Sequence, residues 1–379
     1  MQGQVVACPF HINSNSVLLQ RSIIQFMDIG ERIKSFALLG ETLQNYLKNS
    51  SATIGGAGCD ISHLNTLIDN QIRHNPWFTE ENVRLAITAI AEELTEDNLI
   101  RWTKVYPALR KENKPLRVGV IMAGNIPLVG FHDFLSVLIT GNTLLAKTSS
   151  KDYELITYVS DMLCKLNPGF KDRIEFTEST LINFDAVIAT GSDNSSRYFN
   201  YYFGKYPHII RRNRNSIAIL EGDETSDEIE ALGTDIFSYF GLGCRNISKI
   251  YVPRGYDIRE ITTNWKNFIK VITHSKYANN YDFNKAVCLV NKETFYDSGF
   301  LLLKEDARIS SPVSVLHYEY YESQDAVKQQ TEFLKEKIQC IVSKHHIPFG
   351  KAQWPHLWDY ADGIDTIEFL LKKKLAGIL

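Results

Sequence analysis

Cysteine is the residue type best suited to covalent chemistry, and one of the six here stands apart. Cys244, in Phe240-Gly241-Leu242-Gly243-Cys244-Arg245-Asn246, follows two glycines and precedes an arginine. Glycine lets a backbone turn tightly and lets a ligand come close. A neighbouring cation favours the thiolate, whose pKa in such surroundings falls from ~8.5 towards ~3.5–7.5. The competing role for a free cysteine is that of a small buried hydrophobe. Helical spacing of Ile229, Leu232, Ile236, Phe237 and Phe240, followed by a strand pattern over 247–252, puts the thiol at a junction between elements.

Three further polar sites fall at the ends of apolar runs. Arg117-Val118-Gly119-Val120-Ile121-Met122-Ala123 reads as a strand buried on both faces and ends in Gly124-Asn125-Ile126-Pro127. A helix over 128–139 and a short strand over 143–146 then deliver Lys147-Thr148-Ser149-Ser150-Lys151, with Asp152 the nearest carboxylate. After a helix over 153–166, Phe184-Asp185-Ala186-Val187-Ile188-Ala189-Thr190 ends in Gly191-Ser192. Strands alternating with helices form a parallel sheet whose carboxyl ends bind ligands, so Asn125, Lys147 and Gly191-Ser192 rim one crevice suited to a nucleotide. Neither GxGxxG nor GxxxxGK[ST] occurs.

With 379 residues the chain can bury more than one sizeable core. A hydrophobic content of 44%, a charged content of 22% and a net charge of −3 are those of an ordinary globular protein, with no electrostatic reason to expect nucleic acid or an anionic membrane as partner. The cysteines show no CxxC and no metal-ligand spacing, which suits reduced thiols, no metal and a cytoplasmic location. No apolar run approaches the ~18 residues of a membrane span. The expected organisation is a helical lead-in over 1–110, with Thr79 capping a helix, a Rossmann-like nucleotide-binding domain over 111–215, a smaller α/β catalytic domain over 216–340, and a return to the first domain over 341–379. Within the catalytic part, 286–290 and 312–316 read as strands.

In their order and spacing, Ala123-Gly124-Asn125-Ile126-Pro127, Gly141-Asn142-Thr143-Leu144-Leu145-Ala146-Lys147, Thr190-Gly191-Ser192 and Gly241-Leu242-Gly243-Cys244 resemble the aldehyde dehydrogenase superfamily. Arg211-Arg212-Asn213-Arg214-Asn215-Ser216-Ile217-Ala218-Ile219-Leu220 narrows the resemblance to the acyl-CoA reductases of the bacterial-luminescence fatty-acid reductase type. The likeness covers roughly 75–379 and implies an aldehyde dehydrogenase-like α/β fold.

The resemblance implies that Cys244 accepts an acyl group from acyl-CoA as a thioester, which a nicotinamide hydride reduces to a fatty aldehyde. Asn125 and the Cys244 backbone N–H would form the oxyanion hole. Lys147 would meet the adenosine ribose or its 2′-phosphate, with Ser149, Ser150, Gly191 and Ser192 beside the cofactor. Ser150-Lys151 stands where NAD-preferring relatives commonly carry a Glu, which favours NADPH and leaves NADH open. Hydrolytic relatives carry a water-activating Glu where this chain has 211–215, so the acyl group is suited to exchange between thiols. Arg308-Ile309-Ser310-Ser311-Pro312-Val313 replaces the family's usual nicotinamide-ribose segment. Arg211, Arg212 and Arg214, with Lys205, either meet phosphates or pair with Asp223, Glu224, Asp227, Glu228 and Glu230. The resemblance also implies a homo-oligomer and leaves room for an acyl-transferring or acyl-activating protein partner. Two alternatives stay open: a reductase of an acyl phosphate, and a non-catalytic scaffold that keeps the fold.

Overall fold

A computed structural model describes residues 26–48, 62–112 and 114–375. The short strand expected at Val5-Val6, the connection over 50–58, Cys8 and Cys59 lie outside these residues. The chain opens with helices α1 (Ile29–Lys48), α2 (Leu64–His74), α3 (Glu80–Glu93) and α4 (Glu96–Thr103). Thr79 caps α3 as expected, its hydroxyl accepting the Asn82 N–H. Gly30 and Gly40, which look like interruptions in the sequence, lie inside α1. At Gly40 a Cβ would come within 2.3 Å of the Leu94 carbonyl oxygen, so this glycine serves close packing at the end of α3.

The first sheet is wholly parallel, in the order β3-β2-β1-β4-β5. Its strands are β1 (Arg117–Ile121), β2 (Thr143–Lys147), β3 (Ile174–Thr177), β4 (Ala186–Thr190) and β5 (His208–Arg211), joined through α5 (Phe131–Ile139), α6 (Tyr153–Leu166) and α7 (Asp193–Phe203). β1 lies between β2 and β4, and the order reverses at β1, so the carboxyl ends of β1 and β4 open the crevice where such sheets bind ligands. Phe134, Leu135, Val137, Leu138 and Ile139 of α5 are all fully buried. Side chains of this size contribute about 1.5–3 kcal/mol each on burial, which fixes α5 and the loop that precedes it.

The second sheet has the order β11-β6-β7-β10-β9-β8, with only β8 antiparallel. Its strands are β6 (Asn215–Ile219), β7 (Ile247–Pro253), β8 (Tyr296–Asp297), β9 (Leu302–Glu305), β10 (Val315–Tyr321) and β11 (Ile338–Val342). Around it pack α8 (Ser226–Phe237), α9 (Ile258–Ile261), α10 (Ser275–Val290) and α11 (Gln324–Phe333), and α12 (Thr366–Leu375) closes on the first core. Residues 286–290, expected as a strand, form the last turn of α10, with Leu289 and Val290 exposed. An unbroken apolar run fits either element, and here His274 caps a helix that carries through it. β10 starts at Val315, later than expected, because Ser314 has φ 66 and cannot extend the strand. The chain crosses from the second core, at Ala352, to the first, at Leu357. Among the described residues no helix is long and apolar enough to cross a membrane.

Candidate active site

Cys244 sits on a turn that runs against the usual handedness of the chain. After α8, Tyr239, Phe240 and Gly241 are all left-handed, with φ of 51°, 56° and 77°. Each non-glycine residue there costs roughly 1–2 kcal/mol, so the surroundings must hold the turn. The Tyr239 N–H donates to Asn82 Oδ1 at 3.1 Å, and the Phe240 ring packs on Trp77 and His274 with centroids 5.3 and 4.4 Å away. Asn246 closes the turn from the other side. Its Oδ1 accepts the Gly243 N–H at 2.8 Å, while Nδ2 donates to the carbonyls of Asp235 at 3.0 Å and Ser238 at 2.8 Å. Ser216 Oγ donates to the Cys244 carbonyl at 2.9 Å.

Arg245 acts on the thiol in the sense its position suggests, but it is also bound into the wall beside it. Its Nε donates to the Ala352 carbonyl, and the buried Asp235 carboxyl accepts the N–H groups of Gly350 and Ala352 at 2.7 and 2.8 Å. The Cys244 side chain is open to the cleft, so reagents can reach it, yet protein surrounds its other sides. Those walls govern its ionisation: burial pushes the thiol up to about 11, outweighing the lowering by Arg245, while Cys340 and Asp362 push the same way as burial. The expected depression of the thiol pKa is therefore absent from the free protein.

Asn125 meets the cysteine turn directly. Its Nδ2 donates to the Leu242 carbonyl at 2.8 Å, across 117 residues of sequence, and its second N–H is uncommitted among the described residues. The loop that carries it is held by Asp152, whose buried carboxyl accepts the N–H of Leu128, itself left-handed at φ 56, at 2.8 Å. Burial pushes the Asp152 carboxyl well up. Gly124 lets the same loop lie against Ser149, since a Cβ would come within 2.4 Å of Ser149 Oγ.

Asn125, Ser149, Gly191, Ser192 and Cys244 line one cleft of roughly 2080 Å³ between the two sheets, whereas Lys147 and Ser150 lie outside its lining. Lys147 ends β2 beside Ile121 and Thr177, half-buried, with no ion pair among the described residues. Ser192 Oγ accepts the Ser195 N–H and so caps α7. The arginine cluster is dispersed. Arg211 is buried on Asp133 and Thr366, at 2.5 and 2.9 Å, and Arg214 pairs with Asp362 at 3.3 Å, leaving Arg212 exposed on the cleft wall. None of the three pairs with a carboxylate of 223–230; Asp223 instead pairs with Lys344, and Glu228 completes the capping box of α8. Among the described residues no group of three or more His, Cys, Asp or Glu could hold a metal ion.

Asn82, Asp235 and Asn246 escaped the sequence reading as supports of the site, and Asp152 was read only as a nearby charge. Asn246 stood beside the cysteine, but its three acceptors and donors become visible only when the turn is folded.

The two sheets and the cleft between them define an aldehyde dehydrogenase-like fold. The chain is similar to the solved structure of aldehyde dehydrogenase 21 from Physcomitrella patens in complex with succinate, with a TM-score of 0.63 and 12% identity over 93% of this chain and 85% of that one. It is similar to an aldehyde dehydrogenase from Mycobacterium tuberculosis complexed with NAD+, with a TM-score of 0.52 and 15% identity over 79% and 70%. The NADP complex of the NADP-dependent glyceraldehyde-3-phosphate dehydrogenase from Bacillus halodurans C-125 gives 0.55 and 14% over 86% and 76%. No curated protein sequence matches. The sequence profile described as "Acyl-CoA reductase (LuxC)" matches residues 77–314, and the chain belongs to that family. It is an oxidoreductase of acyl and aldehyde groups, of the kind that reduces an acyl group to an aldehyde.

Proposed function

We propose that this protein is an NADPH-dependent acyl-CoA reductase that forms a fatty aldehyde through a thioester on Cys244. The observation that carries the reading is the Asn125 amide held 2.8 Å from the carbonyl of Leu242, on the turn that presents the thiol. Attack of Cys244 Sγ on a thioester carbonyl places negative charge on its oxygen. The uncommitted Asn125 N–H and the Cys244 backbone N–H are the donors suited to that charge, and one such donor contributes about 2.7–4 kcal/mol to barrier lowering. Collapse expels the CoA thiolate and leaves acyl-Cys244. After reduction, the thiohemiacetal oxygen uses the same donors until aldehyde leaves and the cysteine returns.

A nicotinamide dinucleotide would supply the hydride. The crevice at the ends of β1 and β4 fits such a group: Gly191 precedes the capped N-terminus of α7, where a phosphate is favoured, and Gly124 allows a close-packed loop over Ser149. Lys147 would hold the adenosine side, with Lys151, Ser150 and Ser192 nearby. NADPH is favoured because Asp152 is turned into the Leu128 loop, so no carboxylate of 147–152 opposes a 2′-phosphate.

The stretch 211–215 supplies no carboxylate for hydrolysis, which favours retention of the acyl group for reduction or thiol exchange, including exchange with an acyl-transferring protein. The well-separated cysteines favour a reducing, cytoplasmic setting. Phe283, Val287 and Val290 form an exposed apolar stripe along α10, which supports burial against a second copy in a homo-oligomer.

The test is incubation with medium- to long-chain acyl-CoA without nicotinamide, followed by peptide mass spectrometry. An acyl adduct on Cys244 that is released as aldehyde on adding NADPH is expected. No adduct at any chain length, with Cys244→Ala indistinguishable from the unaltered protein, would reject the proposal.

A further inference from the structure

Besides Asp133 Oδ1 and Arg211 Nε, which belong to one buried ion pair, two buried polar atoms on residues of the cleft lining have no hydrogen-bond partner among the described residues, Gln353 Nε2 and His132 Nδ1. Their hydrogen-bonding senses are opposite. His132 Nε2 lies 2.8 Å from the Leu357 carbonyl, which can only accept, so Nε2 carries the proton and Nδ1 is an acceptor. Burial favours the neutral ring, and its faces and edges pack on Trp102 and Tyr360 with centroids 5.7 and 5.5 Å away. Gln353 is 5% exposed, and its Nε2 can only donate. Leaving such a group buried and unpaired costs as much as a lost hydrogen bond, which calls for a ligand or a mechanism to explain it.

The segment that links the two is fixed at both ends. Ala352 accepts from Arg245, next to the nucleophile, and donates to Asp235, while Leu357 holds His132. It is also where the chain passes from one core to the other, along the cleft that contains Cys244. A donor and an acceptor left unpaired in the lining of one cleft are the complement of a secondary amide, whose carbonyl accepts and whose N–H donates.

We propose that Gln353 and His132 bind the amide of the arm that carries the thioester, the N-acylcysteamine unit shared by CoA and phosphopantetheine carriers. This rests on the reading of Cys244 as the acyl acceptor. It makes the two residues determinants of specificity, selecting amide-bearing thioesters over acyl phosphates and simple thioesters, neither of which carries that amide.

The experiment compares one acyl group on three donors: CoA, N-acetylcysteamine, which keeps the amide and lacks the nucleotide, and mercaptoethanol, which lacks both. Thiol release is followed for the unaltered protein, Gln353→Leu and His132→Phe. For the first two donors Gln353→Leu is expected to lower kcat/KM by about tenfold or more, the value of a lost hydrogen bond, with under about twofold change for the mercaptoethanol thioester. The preserved rate on the amide-free donor shows that the variant is folded. Equal losses on all three donors, or an unaltered protein that takes the amide-free thioester or an acyl phosphate as well as the N-acetylcysteamine thioester, would overturn the assignment.

Pantetheine binding to Cys244→Ala protein, by calorimetry, reads the amide contact without acyl chemistry. Binding weakened by Gln353→Leu supports the contact even if no donor acylates Cys244, in which case the acyl-transfer reading fails alone. No binding, or binding unaffected by the substitution, overturns the contact.

Discussion

The Cys244 thiol, pushed up to about 11 by burial, sets a quantitative expectation for its reactivity. At pH 7.5 a thiol at about 11 is ionised to roughly one part in 3,000, and the thiolate fraction grows about tenfold per pH unit until the pKa is approached. Since the thiolate is the nucleophile, iodoacetamide alkylation of Cys244 should climb steadily from pH 7 to 10. Arg245 opposes the upward push, so Arg245→Gln should lower the rate at any fixed pH in this range. Asp362 works the other way: its negative charge raises the thiol, and Asp362→Asn should speed alkylation. The assay is peptide-resolved mass spectrometry of the free protein, with Cys164, half-buried, as an internal reference. A rate that has reached its plateau by pH 8, or an Arg245→Gln protein that reacts faster, would show that the thiol is already activated and would refute the argument from burial.

Three further outcomes follow from other parts of the molecule. On the proposed contact of Lys147 with a 2′-phosphate, Lys147→Ala should raise the KM for NADPH roughly ten- to a hundredfold, the value of a charge-assisted bond, while changing that for NADH far less; equal changes would remove Lys147 from cofactor selection. Asp235, raised by burial to about 7 from a value near ~3.9 in an unfolded chain, contributes stability through its bound proton that is complete below ~4 and lost as pH rises through about 7. Denaturant unfolding should accordingly show a decline from pH 4.5 to 7.5 that is flatter in Asp235→Asn. For the proposed homo-oligomer, Phe283→Asp with Val290→Asp should lower the mass in sedimentation equilibrium with unchanged circular dichroism; an unaltered protein that sediments as a monomer, or an unchanged mass in the variant, would exclude the α10 stripe as the contact.

Much of the cofactor-side frame was legible because its signals are local. The apolar run that became β1, the threonine cap of α3 and the polar residues at strand ends each express a preference of their own segment. The placement of Asn125 beside the cysteine turn could be anticipated only through family likeness, since the bond spans 117 residues. Other features had no local signal. Residues 286–290 were apolar enough for a buried strand, yet much of that run is exposed on a helix, because capping and packing upstream decide the element. The arginines of 211–214 had acidic neighbours in sequence, but strand direction carried Arg211 to Asp133 and Arg214 to Asp362. Charge attracts whatever the fold brings near, and sequence distance does not measure that.

The bond from Arg245 to Ala352 also sets a schedule for how the site comes into being. Its acceptor is made 107 residues after its donor, and the same late segment supplies the N–H groups that Asp235 receives. At synthesis rates of ~5–20 residues per second, roughly 5–20 s separate the two partners on the ribosome. Asn82 and Trp77, which hold the cysteine turn from its other side, are synthesised before the turn itself. The wall beside Cys244 therefore forms only after the 350–352 segment has been made, well after the turn that it supports.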